Sequence, residues 1–128
     1  MNIPTVLIVD DEPEQLSNIK NYLELRIKCN FAEALNGEDA IKYIKNNPCD
    51  IMILDIRMPQ KSGIEVLDTA KDLPIHTIVY TGWDSDQVFN ACKARGVKDY
   101  IPKGSSLKVV YDKVVKGLKK IDKHFPLI

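Results

Sequence analysis

The chain carries a sparse set of residues whose types could handle a phosphoryl group, each placed just after an apolar run. Asp10 and Asp11, with Glu12 behind them, end the run Thr5–Val9; Asp55 ends Ile51–Leu54; Thr81 ends Thr77–Tyr80; Lys103 follows Asp99–Ile101. Adjacent carboxylates with no basic neighbour repel one another, and each raises the others' pKa unless a cation relieves them. An all-oxygen donor set with room for several waters suits Mg²⁺ better than zinc. Asp55 is then the candidate nucleophile toward phosphorus. Mg²⁺ and Lys103 would neutralise the oxygens of the incoming group, and Thr81 would donate a hydrogen bond to it once attached.

These residues are far apart in sequence, so secondary structure must bring them together. The apolar runs are strand-length, with Cys29–Ala34 as a weaker fifth, and runs apolar on both faces belong to strands covered on both sides. Between them the apolar spacing changes to steps of three and four. Leu16, Ile19, Leu23 and Ile27 predict a helix over Glu14–Arg26, opened by Asp11–Glu12–Pro13. Ala40, Ile41 and Ile44 mark a second helix, after Asn36–Gly37 and closed by Asn47–Pro48. Ile64, Leu67 and Ala70 mark a third, ended before Pro74. Asp84, with Gln87 as its third-position partner, predicts the cap of a fourth helix that carries Val88, Ala91 and Cys92 and stops at Gly96. A fifth opens after Ser105–Ser106 with Leu107, Val110, Val114, Leu118 and Ile121 on one face. Strand then helix, five times over, is an α/β domain: a doubly wound parallel sheet with right-handed crossovers, whose functional groups gather at the carboxyl ends of the strands.

Composition narrows the class. The chain of 128 residues is 45% hydrophobic and 28% charged, the balance of one soluble domain, expected over 1–124 with a short tail at 125–128. Lys plus Arg and Asp plus Glu each number 18, so net charge gives no reason to expect nucleic acid or an anionic membrane as partner. The lysines of the last helix (Lys108, Lys113, Lys116, Lys119, Lys120 and Lys123) read as a solvated face without aromatic interleaving, which argues against direct DNA binding. Cys29, Cys49 and Cys92 have neither the parity nor the spacing of a disulfide framework or a zinc site. No apolar run reaches the ~20 residues of a membrane span, and there is no signal-peptide pattern, so a cytoplasmic location is expected. His76 and His124 stand isolated.

The set Asp10–Asp11, "D-x-x-M-P" at Asp55–Pro59 with Gly63 beyond it, Thr81 followed by a small residue, and "D-Y-x-x-K" at Asp99–Lys103 resembles the receiver domain of two-component response regulators, over about 120 residues. The resemblance implies a CheY-like, flavodoxin-like five-stranded sheet of order 2-1-3-4-5. It implies Asp55 as phosphoacceptor, Mg²⁺ held by Asp11, Asp10, Asp55 and the backbone carbonyl of Arg57, and phosphate contacts from Thr81 and Lys103. Thr81 and Tyr100 would be the switch pair. It implies a sensor histidine kinase or phosphotransfer protein as donor, and a downstream effector or an attached output domain as receiver of the signal. A homodimer on phosphorylation is open, as is a stand-alone regulator against a piece of a longer regulator or hybrid kinase. Such a domain is a signalling module, an enzyme only in forming and hydrolysing its own acyl phosphate. Arg57 and Trp83 occupy positions that tune phosphate loss, and their bulk predicts a long-lived phosphorylated form. Gly104 stands where the family usually has proline, often after a cis bond, so a trans Lys103–Gly104 bond is expected.

Two rival readings follow from the same residues. A phosphatase with an aspartyl-phosphate intermediate, as in haloacid-dehalogenase-like proteins, needs a second Asp two residues after the nucleophile, where this chain has Arg57. A constitutive, phosphorylation-independent interaction module would not need the intact acidic set, and Gly104 is the departure that keeps it open. Met58–Pro59 and Gly63 read as residues that shape the loop after Asp55.

Overall fold

A computed structural model of the protein describes residues 3–58, 62–82 and 85–128. Five strands and five helices alternate: β1 (Thr5–Val9), α1 (Pro13–Glu24), β2 (Asn30–Ala34), α2 (Gly37–Asn46), β3 (Ile51–Leu54), α3 (Gly63–Ala70), β4 (His76–Thr81), α4 (Asp86–Ala94), β5 (Asp99–Pro102) and α5 (Leu107–Ile121). All neighbours pair in parallel, in the order β2-β1-β3-β4-β5. The doubly wound α/β fold and its strand order are as expected.

Successive strand side chains point to opposite faces, and this divides the core in two. Val6, Ile8, Ile51, Ile53 and Ile78 pack with Leu16, Ile19 and Leu23 of α1 and Val110, Val114 and Leu118 of α5. Leu7, Val9, Met52, Leu54 and Val79 pack with Ala40 and Ile44 of α2, Val66 and Leu67 of α3, and Val88 and Cys92 of α4. The central strands are therefore apolar on both sides. At their carboxyl ends the backbone leaves this packing and presents a cluster of polar side chains.

The structure moves several boundaries. β4 takes in Thr81 and β5 takes in Pro102, so both belong to strands rather than to the loops after them. α1 ends two residues before Arg26, and β2 begins after Cys29. The N-cap of α4 is Ser85, whose hydroxyl accepts the amide of Val88 at 3.2 Å. Gln87 is thus the second helical residue rather than the third, while Asp84, Trp83 and Pro59 lie outside the described residues. Ile121, expected on the buried face of α5, is exposed. Tail residues 125–128 are tied down: Phe125 is buried in the α1–α5 core, Leu127 bridges Ile27, and the Ile128 amide donates to Arg26 O at 3.0 Å.

The loop after β3 is held by an unusually close approach. A Cβ on Gly63 would lie 2.5 Å from Ile56 Cα and 2.8 Å from Asp55 O, so only glycine lets α3 start against this backbone. Its amide donates to Ile56 O at 2.9 Å. Gly63→Ala is expected to lower stability to urea by about 1–3 kcal/mol through overpacking. Gly82→Ala, whose nearest contact would be Lys103 Cβ at 4.0 Å, should change it by less than about 0.5 kcal/mol.

Candidate functional site

At the carboxyl edge of the sheet the backbone fixes the side chains first. The amide of Asp10 donates to Ala34 O at 3.1 Å, that of Asp55 to Val9 O at 3.0 Å and that of Lys103 to Thr81 O at 2.9 Å. Each functional residue is therefore stitched to its neighbouring strand. Asp10 turns back on its own chain, its Oδ1 accepting the Glu12 amide at 3.0 Å and shaping the turn into α1, where Pro13 opens the helix.

The side chains then converge. Lys103 Nζ lies 2.8 Å from Asp10 Oδ2 and 2.8 Å from Asp55 Oδ2. The other Asp55 oxygen accepts the Thr81 hydroxyl at 2.8 Å and the Arg57 amide at 3.2 Å. Asp10, Asp55 and Thr81 are at most 5% exposed, whereas Asp11 is exposed. Oxygens of Asp10, Asp11 and Asp55 all fall within 4.8 Å of one another. A cleft of about 380 Å³, lined by Asp11, Glu12, Asp55, Arg57, Gly82 and Lys103, opens above them. Only oxygens converge, one carboxylate faces solvent, and there is room for water; this donor set fits a hard divalent cation such as Mg²⁺.

The charges are unequal in their settings. Burial pushes the Asp10 carboxyl above its usual range, against hydrogen bonds from Lys103 and the Glu12 amide. Burial also works to lower the Lys103 pKa, but Asp10 and Asp55 prevail and hold the ammonium well above its ordinary range. Lys103 is thus a fixed positive charge between two buried carboxylates. The loop beyond it turns at Gly104, whose φ of +105° favours glycine, and no peptide bond among the described residues is cis, so the Lys103–Gly104 bond is trans as expected.

Tyr100 lies off this cluster. It is half-buried, meets Phe89 of α4 edge-to-face with ring centroids 5.3 Å apart, and lines an apolar groove of about 360 Å³ with Phe89, Cys92 and Val97. The thiols stay away from the chemistry: burial raises Cys29 to about 11 and Cys49 to about 12. Sequence reasoning overlooked two features. The Ser62 amide donates to Glu65 Oε1 at 3.2 Å, fixing the start of α3, and the S-x-x-E spacing was the available signal. His76, read as isolated, lies 2.8 Å from the buried Asp99, a contact between strands that no local pattern announces.

Residues 6–115 match the response regulator receiver domain family. The chain is 35% identical over 102 residues to response regulator GtcR of Aneurinibacillus migulanus, covering 77% of this chain and 41% of that protein. It is 34% identical over 106 residues to transcriptional regulatory protein YvrH of Bacillus subtilis, covering 80% and 44%. A CheY-like receiver domain protein from Methanospirillum hungatei superposes with a TM-score of 0.88 at 25% identity, over 95% of this chain and 98% of that one. The chain therefore belongs to the response regulator receiver domain family, and it spans less than half the length of these two curated relatives. Among the described residues, no helix is long and apolar enough to cross a membrane.

Asp10 and Lys103 should pull stability in opposite directions. Below the ordinary carboxylate value of 3.8 both folded and unfolded chains carry the Asp10 proton and the burial cost vanishes; it grows as pH rises from there through the raised folded-state value. With EDTA present, Asp10→Asn is expected to raise the urea midpoint at pH 7 and to lose that gain below pH 4. Lys103→Met leaves two buried carboxylates without their cation. It should lower stability at pH 7 by about 1–3 kcal/mol, less than for a fully enclosed pair because the cleft is open. The double variant should recover part of the loss.

Proposed function

We propose that this receiver domain accepts a phosphoryl group on Asp55 and uses the added charge to change what its α4–β5–α5 face binds. The observation that carries this reading is the placement of Asp55 between a fixed ammonium and a hydroxyl, with Asp10 and Asp11 beside it. Asp10, Asp11, Asp55 and the carbonyl of Arg57 would hold Mg²⁺, which supplies positive charge to the phosphoryl oxygens when bound.

The donor is the phosphohistidine of a sensor kinase or phosphotransfer protein. An Asp55 carboxylate oxygen forms the O–P bond as the P–N bond breaks, and the donor ring, already protonated on its other nitrogen, leaves as neutral imidazole. Lys103 balances charge on the transferred group, and its raised pKa keeps it cationic at any working pH. The group adds about 1.5–2 negative charges. The Thr81 hydroxyl and Lys103 Nζ, both now on Asp55, turn to the phosphoryl oxygens. Thr81 ends β4, and Tyr100 lies in the adjoining strand against Phe89, so the change reaches α4. The population then shifts toward the form whose face suits an effector, an attached output domain or a second copy. Arg57 beside Asp55 would slow attack by water, and the chain's own chemistry is limited to making and losing this acyl phosphate.

Intact mass after incubation with acetyl phosphate and Mg²⁺ tests the reading. One phosphoryl adduct is expected on the wild type and none on Asp55→Asn or with EDTA. Labelling of Asp55→Asn, or a wild type that stays unlabelled, would overturn it.

A further inference from the structure

At the end of β5 opposite the cleft, a further carboxylate is buried. Asp99, the first residue of β5, is 2% exposed. Its Oδ2 pairs with His76 Nε2 of β4 at 2.8 Å, and its Oδ1 faces Lys116 Nζ at 3.4 Å and Lys113 Nζ at 3.7 Å, both from α5. Burial alone would raise the Asp99 carboxyl; the His76 hydrogen bond and Lys116 outweigh it and hold it below the usual carboxylate range. α5 also lies directly on the imidazole, because a Cβ on Gly117 would be 2.8 Å from His76 Cδ2. Three elements therefore meet on one carboxylate.

β5 is an edge strand of four residues, and among the described residues its strand partner is β4. Its register on β4 sets where Lys103 emerges relative to Thr81. A one-residue slip in a strand turns every side chain to the other face. From Asp99 to Lys103 is four residues, about 13 Å of strand. We infer that His76 and Asp99 are positioning residues for the phosphoryl-transfer site: their contact fastens β5 and α5 to β4 and so holds Lys103 against Asp55. This rests on the reading that Asp55 is the acceptor. Asp10 and Asp11 follow β1 and Asp55 follows β3; the amides of Asp10 and Asp55 bond to β2 and β1, away from the pair.

Amide hydrogen exchange on wild type, His76→Ala and His76→Gln, alongside acetyl phosphate labelling, tests the inference. Glutamine places an amide nitrogen near the position of Nε2 and keeps the bond to Asp99. In His76→Ala the Lys103 amide, bonded to Thr81 O, is expected to lose protection by about tenfold while the Asp55 amide, bonded to Val9 O, keeps its own. His76→Gln should restore it. Labelling should slow by about tenfold in His76→Ala and recover in His76→Gln, with Mg²⁺ affinity no weaker than in the wild type. Unchanged Lys103 exchange, equal losses at Lys103 and Asp55, or labelling that ignores the loosened strand would each overturn the inference. A wild type that takes no phosphate while the exchange pattern holds would instead remove the functional reading, and with it the catalytic meaning of a strand anchor that stays structurally real.

Discussion

One ammonium between two buried carboxylates is the interaction on which the site depends. Lys103 lies 2.8 Å from both Asp10 and Asp55, and burial makes each of these charges expensive without its partners. Three acids and one lysine still leave the cluster negative. The site is therefore tuned to bind positive charge, and once that charge is present, to tolerate the oxygens of a phosphoryl group. Hydrophobic packing elsewhere must supply the stability that this arrangement costs.

That packing is what the doubly wound sheet provides. β1, β3 and β4 are covered on both faces, so their registers cannot slip without exposing one whole face of apolar side chains. Asp10, Asp55 and Thr81 inherit this rigidity because they stand at or one residue past the strand ends. Gly63 brings α3 close enough to hold the backbone of Asp55 and Ile56 from above. Lys103 comes from the least supported strand, and the His76–Asp99 contact sits where that support is thinnest.

Much of this was legible in the residues themselves. Runs such as Val6–Val9 and Ile51–Leu54 carry their own strand signal, and each site residue follows one, so parallel topology alone predicts the convergence of Asp10, Asp55, Thr81 and Lys103. What could not be read locally depends on tertiary partners. The α4 cap fell on Ser85, whose hydroxyl accepts the Val88 amide across the first turn of the helix. Ile121 follows the helical stripe of α5 but lies past the last turn that faces the sheet. The His76–Asp99 pair and the Leu127–Ile27 bridge join residues distant in sequence, where no periodicity points. Gly63 was recognisable as a loop-shaping residue; the backbone it must avoid was not.

Lys103 occupies the same carboxylates that a divalent cation would use. Calorimetric titration of Mg²⁺ into wild type and Lys103→Met at pH 7 tests this most directly. If the account is right, removing the ammonium frees Asp10 and Asp55 and the variant binds Mg²⁺ more tightly than the wild type. Equal or weaker binding by Lys103→Met would contradict it.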